Sequence, residues 1–149
     1  MDDSASAWES GATERHVSRI FSSETVEVVR ARRMVQAHLQ AWGYDDDVEA
    51  ITLAVSELVT NAVVHGRGPV ELTLTAGDGA IRVAVADQGG GRPRLVQAGT
   101  EMDSGGWGLR LVDELADEWA SVQEGSRTSV WMQRRAAARG GDEPDRHPT

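Results

Sequence analysis

ELVTNAVVHG, residues 57–66, places Glu57, Asn61 and His65 at every fourth position of a segment that is otherwise mostly apolar. Residues four apart on a helix lie close together, because four residues make slightly more than one turn. The three polar side chains therefore form a slanting stripe beside the buried face of the predicted helix. Such a stripe suits a carboxylate and an amide that hold a metal or a water molecule. Alone, it is more often a helix edge that meets solvent.

Periodicity around this stretch predicts two helices. The first covers about 24–42, and Ser22 and Ser23 offer its N-cap, because a hydroxyl can accept a hydrogen bond from a free N–H of the first turn. The second follows the acidic run at 45–47, which favours a helix start through the helix dipole, and it continues over 48–65. A glycine follows each helix and ends it.

Segments with alternating apolar residues predict the strands. They are 16–21, 70–74, 81–85, 119–123 and 128–133. The turns at 77–79 and 124–126 predict hairpins, and a third helix is predicted over about 109–117. Strands and helices do not alternate regularly along the chain. We therefore predict an α+β fold, a two-layer sandwich in which three helices cover one face of a mixed, mainly antiparallel sheet.

The length of 149 residues predicts a single domain, which we place at 16–135. Residues 1–15 and 136–149 lack apolar periodicity and are predicted to be a disordered leader and a disordered tail. No run approaches the roughly 20 apolar residues of a membrane span. The acidic N-terminus does not have the form of a secretory signal. We therefore expect a cytoplasmic protein that makes no contact with a membrane.

Composition excludes several classes of site. The chain has no cysteine, which removes disulfides, thiolate nucleophiles and Cys-ligated zinc. It also has no lysine, so all 15 basic residues are arginine. The phosphate loop and the eukaryotic-type protein kinases each depend on a lysine and are excluded. The net charge of −9 argues against direct binding of nucleic acid, since a phosphate backbone requires a basic surface.

Asp87 ends an apolar strand and begins the pattern Asp-x-Gly-x-Gly with Gly89 and Gly91. A carboxylate at a strand end can accept a hydrogen bond from the amino group of a base, and glycines allow the chain to approach a ring closely. Alone, the pattern is more typical of an ordinary turn. The loop 88–106 contains 6 glycines, and a loop of this length is typically functional or mobile.

Gly106-Trp107-Gly108-Leu109 opens the third predicted helix. Backbone N–H groups at a helix N-terminus bind anions without any lysine, and small residues leave them accessible. The same residues are equally typical of a glycine-rich loop that enters a helix. Thr128 begins the last predicted strand, where its hydroxyl is able to donate to a ligand.

The order of these patterns resembles that of the Bergerat-fold ATPases, the superfamily of gyrase, histidine kinases and MutL. Glu-x-x-x-Asn on a helix, Asp-x-Gly-x-Gly after a strand and Gly-x-Gly-Leu opening a helix are similar to its N, G1 and G2 boxes. The resemblance implies that ATP and Mg²⁺ are the cofactors. It implies that Asn61 binds Mg²⁺ and that Asp87 contacts adenine, with Gly89 and Gly91 beside the base.

The same resemblance implies roles for the remaining candidates. Gly106, Gly108 and Leu109 are expected at the phosphates under a lid of about 92–105, and Thr128 is expected near adenine. Glu57 is expected to act as the general base or to orient a water molecule.

Within the superfamily, the chain is similar to the anti-sigma-factor serine kinases of bacterial partner-switching systems. SELVTNAVVHG, GWGLRLVDELADEW and RTSVWMQ carry this likeness, which extends over about 16–134. It implies an ATP-binding regulator that phosphorylates a Ser or Thr of an antagonist, an anti-anti-sigma protein of the STAS type, and that sequesters a sigma factor. A homodimer formed through the sheet and the first helix is implied as well.

Two alternatives remain. A basic residue often stands between the glycines of the G2 box, where this chain has Trp107 followed later by Arg110. The first alternative is therefore a non-catalytic module of the same fold that binds nucleotide or only sequesters a partner. The second is a catalytic domain of a histidine kinase, although the residues before 45 offer no helical pair with a phosphorylatable histidine. His65 completes the polar stripe by its spacing and receives no role.

Overall fold

The residues that the structure describes form a five-stranded sheet, and buried side chains alternate with more exposed ones along its strands at 70–77 and 80–87. The computed structural model describes residues 14–88 and 107–137. The elements are β1 (Arg15–Phe21), α1 (Val26–Ala41), a 3-10 turn (Asp45–Asp47), α2 (Val48–His65), β2 (Val70–Gly77), β3 (Ala80–Asp87), α3 (Trp107–Leu115), β4 (Glu118–Glu124) and β5 (Arg127–Arg135). The predicted order of elements is confirmed.

The strands lie in the order β1-β2-β3-β5-β4, and the four pairings between them are all antiparallel. The predicted turn between β2 and β3 is present at Asp78 and Gly79, whose φ angles are 54° and 77°. Two consecutive positive φ angles give the type I′ turn, whose twist matches that of the flanking strands. β5 follows β4 in the chain but lies between β3 and β4, which places Thr128 directly beside the end of β3.

One face of the sheet carries the core. Every second residue of β2 and β3 is buried there, and the helices pack against these side chains. The largest fully buried side chains are Leu39, Ile51, Leu58, Leu72, Leu74, Ile81 and Met132. The opposite face is polar, with Ser18 beside Thr73 and with Arg82 over the ring of Trp131 at 4.1 Å. In the described residues the predicted two-layer α+β sandwich, with three helices on one face, is confirmed. Its sheet is antiparallel throughout rather than mixed, because every pair of neighbouring strands runs in opposite directions.

Asp47 connects the start of α2 to the end of β5. Its side chain is only 2% exposed. Its two carboxylate oxygens accept from the backbone N–H of Ala137 at 3.2 and 3.1 Å, and the Nε of Arg134 lies 3.8 Å from Oδ1. Arg134 also donates from Nη1 to the carbonyl of Leu115 at 2.6 Å. These contacts hold the N-terminus of α2 against the sheet.

Two predicted helix starts differ from the structure. α1 begins at Val26 with Thr25 at its N-cap and no side-chain capping bond, so the predicted cap at Ser22 and Ser23 is wrong. The hydroxyl of Ser22 instead donates to the carboxylate of Glu27 at 3.0 Å. α3 begins at Trp107, two residues before the predicted start, so that Gly108 lies within its first turn.

Other predictions fall outside the described residues. The predicted leader and tail lie mostly within 1–13 and 138–149, and the predicted lid lies within 89–106. In the part of the chain that the structure describes, no helix is both long and apolar enough to cross a membrane.

Candidate functional site

The polar stripe of α2 borders the core as the sequence predicts. Glu57 and Asn61 are half-buried, whereas Leu58 beside them is 2% exposed and Thr60 faces solvent. A half-buried position shields a polar group from bulk water while leaving it accessible to a ligand, which suits a base or a metal ligand. His65 is the last residue of α2.

Asp87 lies at the end of β3, on the face of the sheet that the helices cover. It continues the alternation of buried residues from Val83 and Val85, and its side chain is 6% exposed. Its Cα partner on β5 is Thr128, which is half-buried. Side chains directly opposite each other on antiparallel strands have Cβ atoms about 4.5–5.5 Å apart. The fold therefore brings together two predicted site residues that are 41 positions apart in the sequence.

The end of α2 meets the end of β3 at this point. Gly66 is the first residue after α2, and a Cβ atom placed on it would have the Asp87 carboxylate as its nearest neighbour. One residue further on, the N–H of Gln88 donates to the carbonyl of Arg67 at 2.9 Å. Asn61 lies just over one helical turn before Gly66. The helix that carries Glu57 and Asn61 and the strand that carries Asp87 therefore meet at one end of the sheet.

The helix α3 supplies the remaining described candidates. Gly108 and Leu109 lie in its first turn, where backbone N–H groups have no partner within the helix and are free to bind an anion. Leu109 is partly buried and packs against the core, and Val112 one turn later is fully buried. Arg110 is exposed. The predicted Gly89, Gly91 and Gly106 lie outside the described residues.

The side chains at this site fit a metal that is bound mainly through phosphates. Among residues 14–88 and 107–137, no group of three or more His, Cys, Asp or Glu side chains could hold a metal ion. Mg²⁺ usually keeps several water ligands and takes one or two protein ligands together with substrate phosphates. The amide oxygen of Asn61, with the Glu57 carboxylate one turn earlier, is a donor set of that size.

His38 has structural contacts. Its Nδ1 lies 2.8 Å from the carbonyl oxygen of Met34, one turn earlier in α1. Its ring meets that of Trp42 edge-on, with centroids 5.5 Å apart. Both contacts are made within α1 and at its C-cap, which indicates a structural role for His38.

Gly66 is a site residue that sequence reasoning interpreted only as a helix stop. Glycine is common after a helix because it readily adopts the backbone conformations that end one. Nothing in the sequence therefore indicated that Gly66 lies close to Asp87. Asp47 is another residue that the sequence did not single out, because its two exposed neighbours share its residue type.

Comparison with known proteins gives consistent results. The histidine kinase-like ATPase domain family matches residues 21–134. The anti-sigma F factor of Geobacillus kaustophilus is 29% identical over 105 residues, which are 62% of this chain and 72% of that protein. The serine-protein kinase RsbW of Bacillus velezensis is 32% identical over 125 residues, which are 73% of this chain and 77% of that protein.

A solved structure has the same fold. The RsbU and RsbW domains of a Mycobacterium tuberculosis protein align with a TM-score of 0.65 at 22% identity. The alignment covers 82% of this chain and 32% of that one.

Proposed function

The chain belongs to the histidine kinase-like ATPase family, and from this premise we propose that it is an ATP-binding regulator of the anti-sigma-factor kinase type. One observation carries the proposal. Asp87, a buried carboxylate, lies opposite Thr128 and against the end of the helix that bears Glu57 and Asn61. This arrangement offers a partner for a base and ligands for a metal–phosphate group at one end of the sheet.

In the proposed complex, the carboxylate of Asp87 accepts a hydrogen bond from the amino group of adenine. The hydroxyl of Thr128 lies beside it. A hydrogen bond to an ionised group contributes about 1.5–3 kcal/mol, which is enough to select a base that has an amino group at this position. Gly89 and Gly91 belong to the proposal as neighbours of the base.

The phosphates are proposed to lie at the N-terminus of α3. The free N–H groups around Gly108 and Leu109 bind the negative charge, and Gly106 precedes them in the chain. Asn61 would hold Mg²⁺, and the bound ion would supply positive charge to balance that of the transferred phosphoryl group.

The proposed reaction is transfer of the γ-phosphoryl group to a Ser or Thr of an antagonist protein. A bond forms between the hydroxyl oxygen and the γ-phosphorus while the bond from that phosphorus to the bridging oxygen breaks, and ADP leaves. Glu57 accepts the proton of the hydroxyl. A half-buried carboxylate on a helix is well placed for this role, because the helix fixes its position while one side remains accessible.

The proposed partners are a sigma factor, which the name of the anti-sigma relatives suggests, and an antagonist of the STAS type, which the family resemblance implies. A groove between the end of β1 and the start of α1 supports contact with a protein. Its lining combines charged with apolar side chains, namely Arg19, Glu27, Arg30, Arg33, Ile20, Phe21 and Met34. Ile20 is 67% exposed and Val26 is 55% exposed. A homodimer formed through the sheet and α1 is part of the same proposal.

A second candidate function is a non-catalytic module that binds nucleotide or only a partner. The observation in its favour is Trp107 between two glycines, a position at which an indole cannot contact a phosphate as a cation. Arg110, exposed in the first turn of α3, is the nearest described cation along the chain.

Phosphoryl transfer separates the two candidates. Candidate antagonists are incubated with radiolabelled ATP and the wild-type chain, Glu57→Ala or Glu49→Ala. Glu49 is an exposed carboxylate in the first turn of the same helix and provides the matched control. We expect Glu57→Ala to lower the rate by about 100-fold or more while Glu49→Ala keeps it. Undiminished transfer by Glu57→Ala would exclude its role as the base. Binding of ATP without any transfer by the wild type would favour the second candidate.

A further inference from the structure

Gly66 has a backbone conformation that does not require glycine. Its φ is −99° and its ψ is −160°, which is extended backbone open to every residue. Gly68, two residues later, differs, because its φ of +70° lies in the left-handed region that favours glycine. The residue type at position 66 therefore reflects another constraint.

That constraint is the space beside the Asp87 carboxylate. A Cβ atom added to Gly66 would lie 2.5 Å from Cγ and 2.5 Å from Oδ2 of Asp87, and 2.6 Å from the carbonyl oxygen of Ala62. Non-bonded carbon atoms pack at about 3.5–4.0 Å, so a methyl group here forces a neighbour to move.

The backbone on either side resists that movement. The N–H of Gly66 donates to the carbonyl of Ala62 at 2.9 Å, and the N–H of Gln88 donates to the carbonyl of Arg67 at 2.9 Å. The Asp87 backbone is held in turn by its pairing with Thr128 of β5, and Ala86 before it is paired with Glu71 of β2 as well. A methyl group at position 66 therefore displaces the Asp87 carboxylate, the one side chain among its three nearest neighbours, and also presses on the backbone carbonyl of Ala62.

We infer that Gly66 is a positioning residue for base recognition. Because Gly66 has no side chain, the end of α2 can lie against Asp87. This close contact fixes the position of the Asp87 carboxylate. This inference rests on the proposed function, in which that carboxylate binds the adenine amino group. Hydrogen bonds weaken steeply with poor geometry, so a methyl group at position 66 lowers the affinity for the base.

The test compares two nucleotides on the full-length chain. Mg-ATP and the Mg complex of purine riboside triphosphate, which lacks the amino group, are each titrated into the wild type and Gly66→Ala. We expect the wild type to prefer ATP by about 10–100-fold, the value of one hydrogen bond to a charged group. We expect Gly66→Ala to lose most of this preference through weaker ATP binding while its affinity for the other nucleotide is retained.

Gly77→Ala is the matched control. Gly77 ends β2 at the hairpin with β3, at the opposite end of the sheet from Asp87, and a Cβ there would meet Glu14 at 3.1 Å. It is expected to keep the wild-type preference. A preference that Gly66→Ala also keeps would overturn the inference and leave the proposed function standing. A wild type that binds neither nucleotide would overturn both.

Thermal unfolding provides a second readout that needs no nucleotide. Asp87→Ala removes Cγ and Oδ2, so it relieves the contact that a methyl group at position 66 would make. The loss of Tm caused by Gly66→Ala is therefore expected to be smaller by about 2–4 °C in the Asp87→Ala background than in the wild type. Equal losses of Tm in both backgrounds would show that the absence of a side chain at position 66 is not needed to accommodate Asp87.

Discussion

Replacement of Asp47 by alanine tests the contact that holds the start of α2 to the end of β5. The side chain is 2% exposed, both of its oxygens accept from the N–H of Ala137, and the Arg134 guanidinium lies 3.8 Å away. Alanine would leave that N–H without its acceptor and the Arg134 guanidinium without its ion-pair partner. Asp47 also places a negative charge at the N-terminus of α2, where the helix dipole favours it.

The size of the expected loss of stability follows from how exposed Asp47 and Arg134 are. Removal of one member of a fully buried ion pair costs about 3–5 kcal/mol. The Arg134 side chain is 33% exposed, so water partly solvates the cation that remains. A hydrogen bond to a charged group contributes about 1.5–3 kcal/mol. We therefore expect Asp47→Ala to lower the free energy of unfolding by about 2–3 kcal/mol.

The neighbouring aspartate provides the control. Asp46 has the same residue type and lies in the same 3-10 turn, but it is exposed. Asp46→Ala is expected to change the free energy of unfolding by less than about 0.5 kcal/mol. Urea denaturation monitored by far-UV circular dichroism gives both values. Equal effects of the two substitutions would refute the argument that the Ala137 and Arg134 contacts stabilise the fold.

Three further predictions concern single side chains. Asp87→Asn is expected to weaken ATP binding about 10–100-fold in a calorimetric titration, whereas the same change at Asp78 in the β2–β3 turn leaves the affinity unchanged. Asn61→Ala is expected to remove the dependence of ATP affinity on Mg²⁺, and a titration with and without the metal would show a persisting dependence if the assignment is wrong. Trp119→Phe removes the indole hydrogen bond to Asp113 at 2.8 Å and should cost about 1–2 kcal/mol in urea denaturation; a smaller loss than about 0.5 kcal/mol would contradict a role for this bond.

The fold was largely predictable because its signals are local. The alternation in β2 and β3 and the Asp-Gly turn between them define a hairpin without reference to the rest of the chain. The helix of ELVTNAVVHG is likewise set by its own apolar periodicity. Glu57 and Asn61 proved to be half-buried, as their spacing implied.

The parts that sequence reasoning missed depend on distant contacts. Asp45, Asp46 and Asp47 are indistinguishable in the sequence, and only the chain 90 residues later decides which of them is buried. Gly66 looked like an ordinary helix stop, because its crowding comes from Asp87 on another element. The start of α1 was misplaced because Ser22 bonds to Glu27 instead of capping the helix.

Calorimetric titration of the full-length chain with ATP, in the presence and absence of Mg²⁺, tests the central claim most directly. If Asp87 and Thr128 receive adenine while Asn61 receives the metal, ATP binds saturably and more tightly with Mg²⁺ than without it. The absence of saturable ATP binding at any Mg²⁺ concentration would contradict the account.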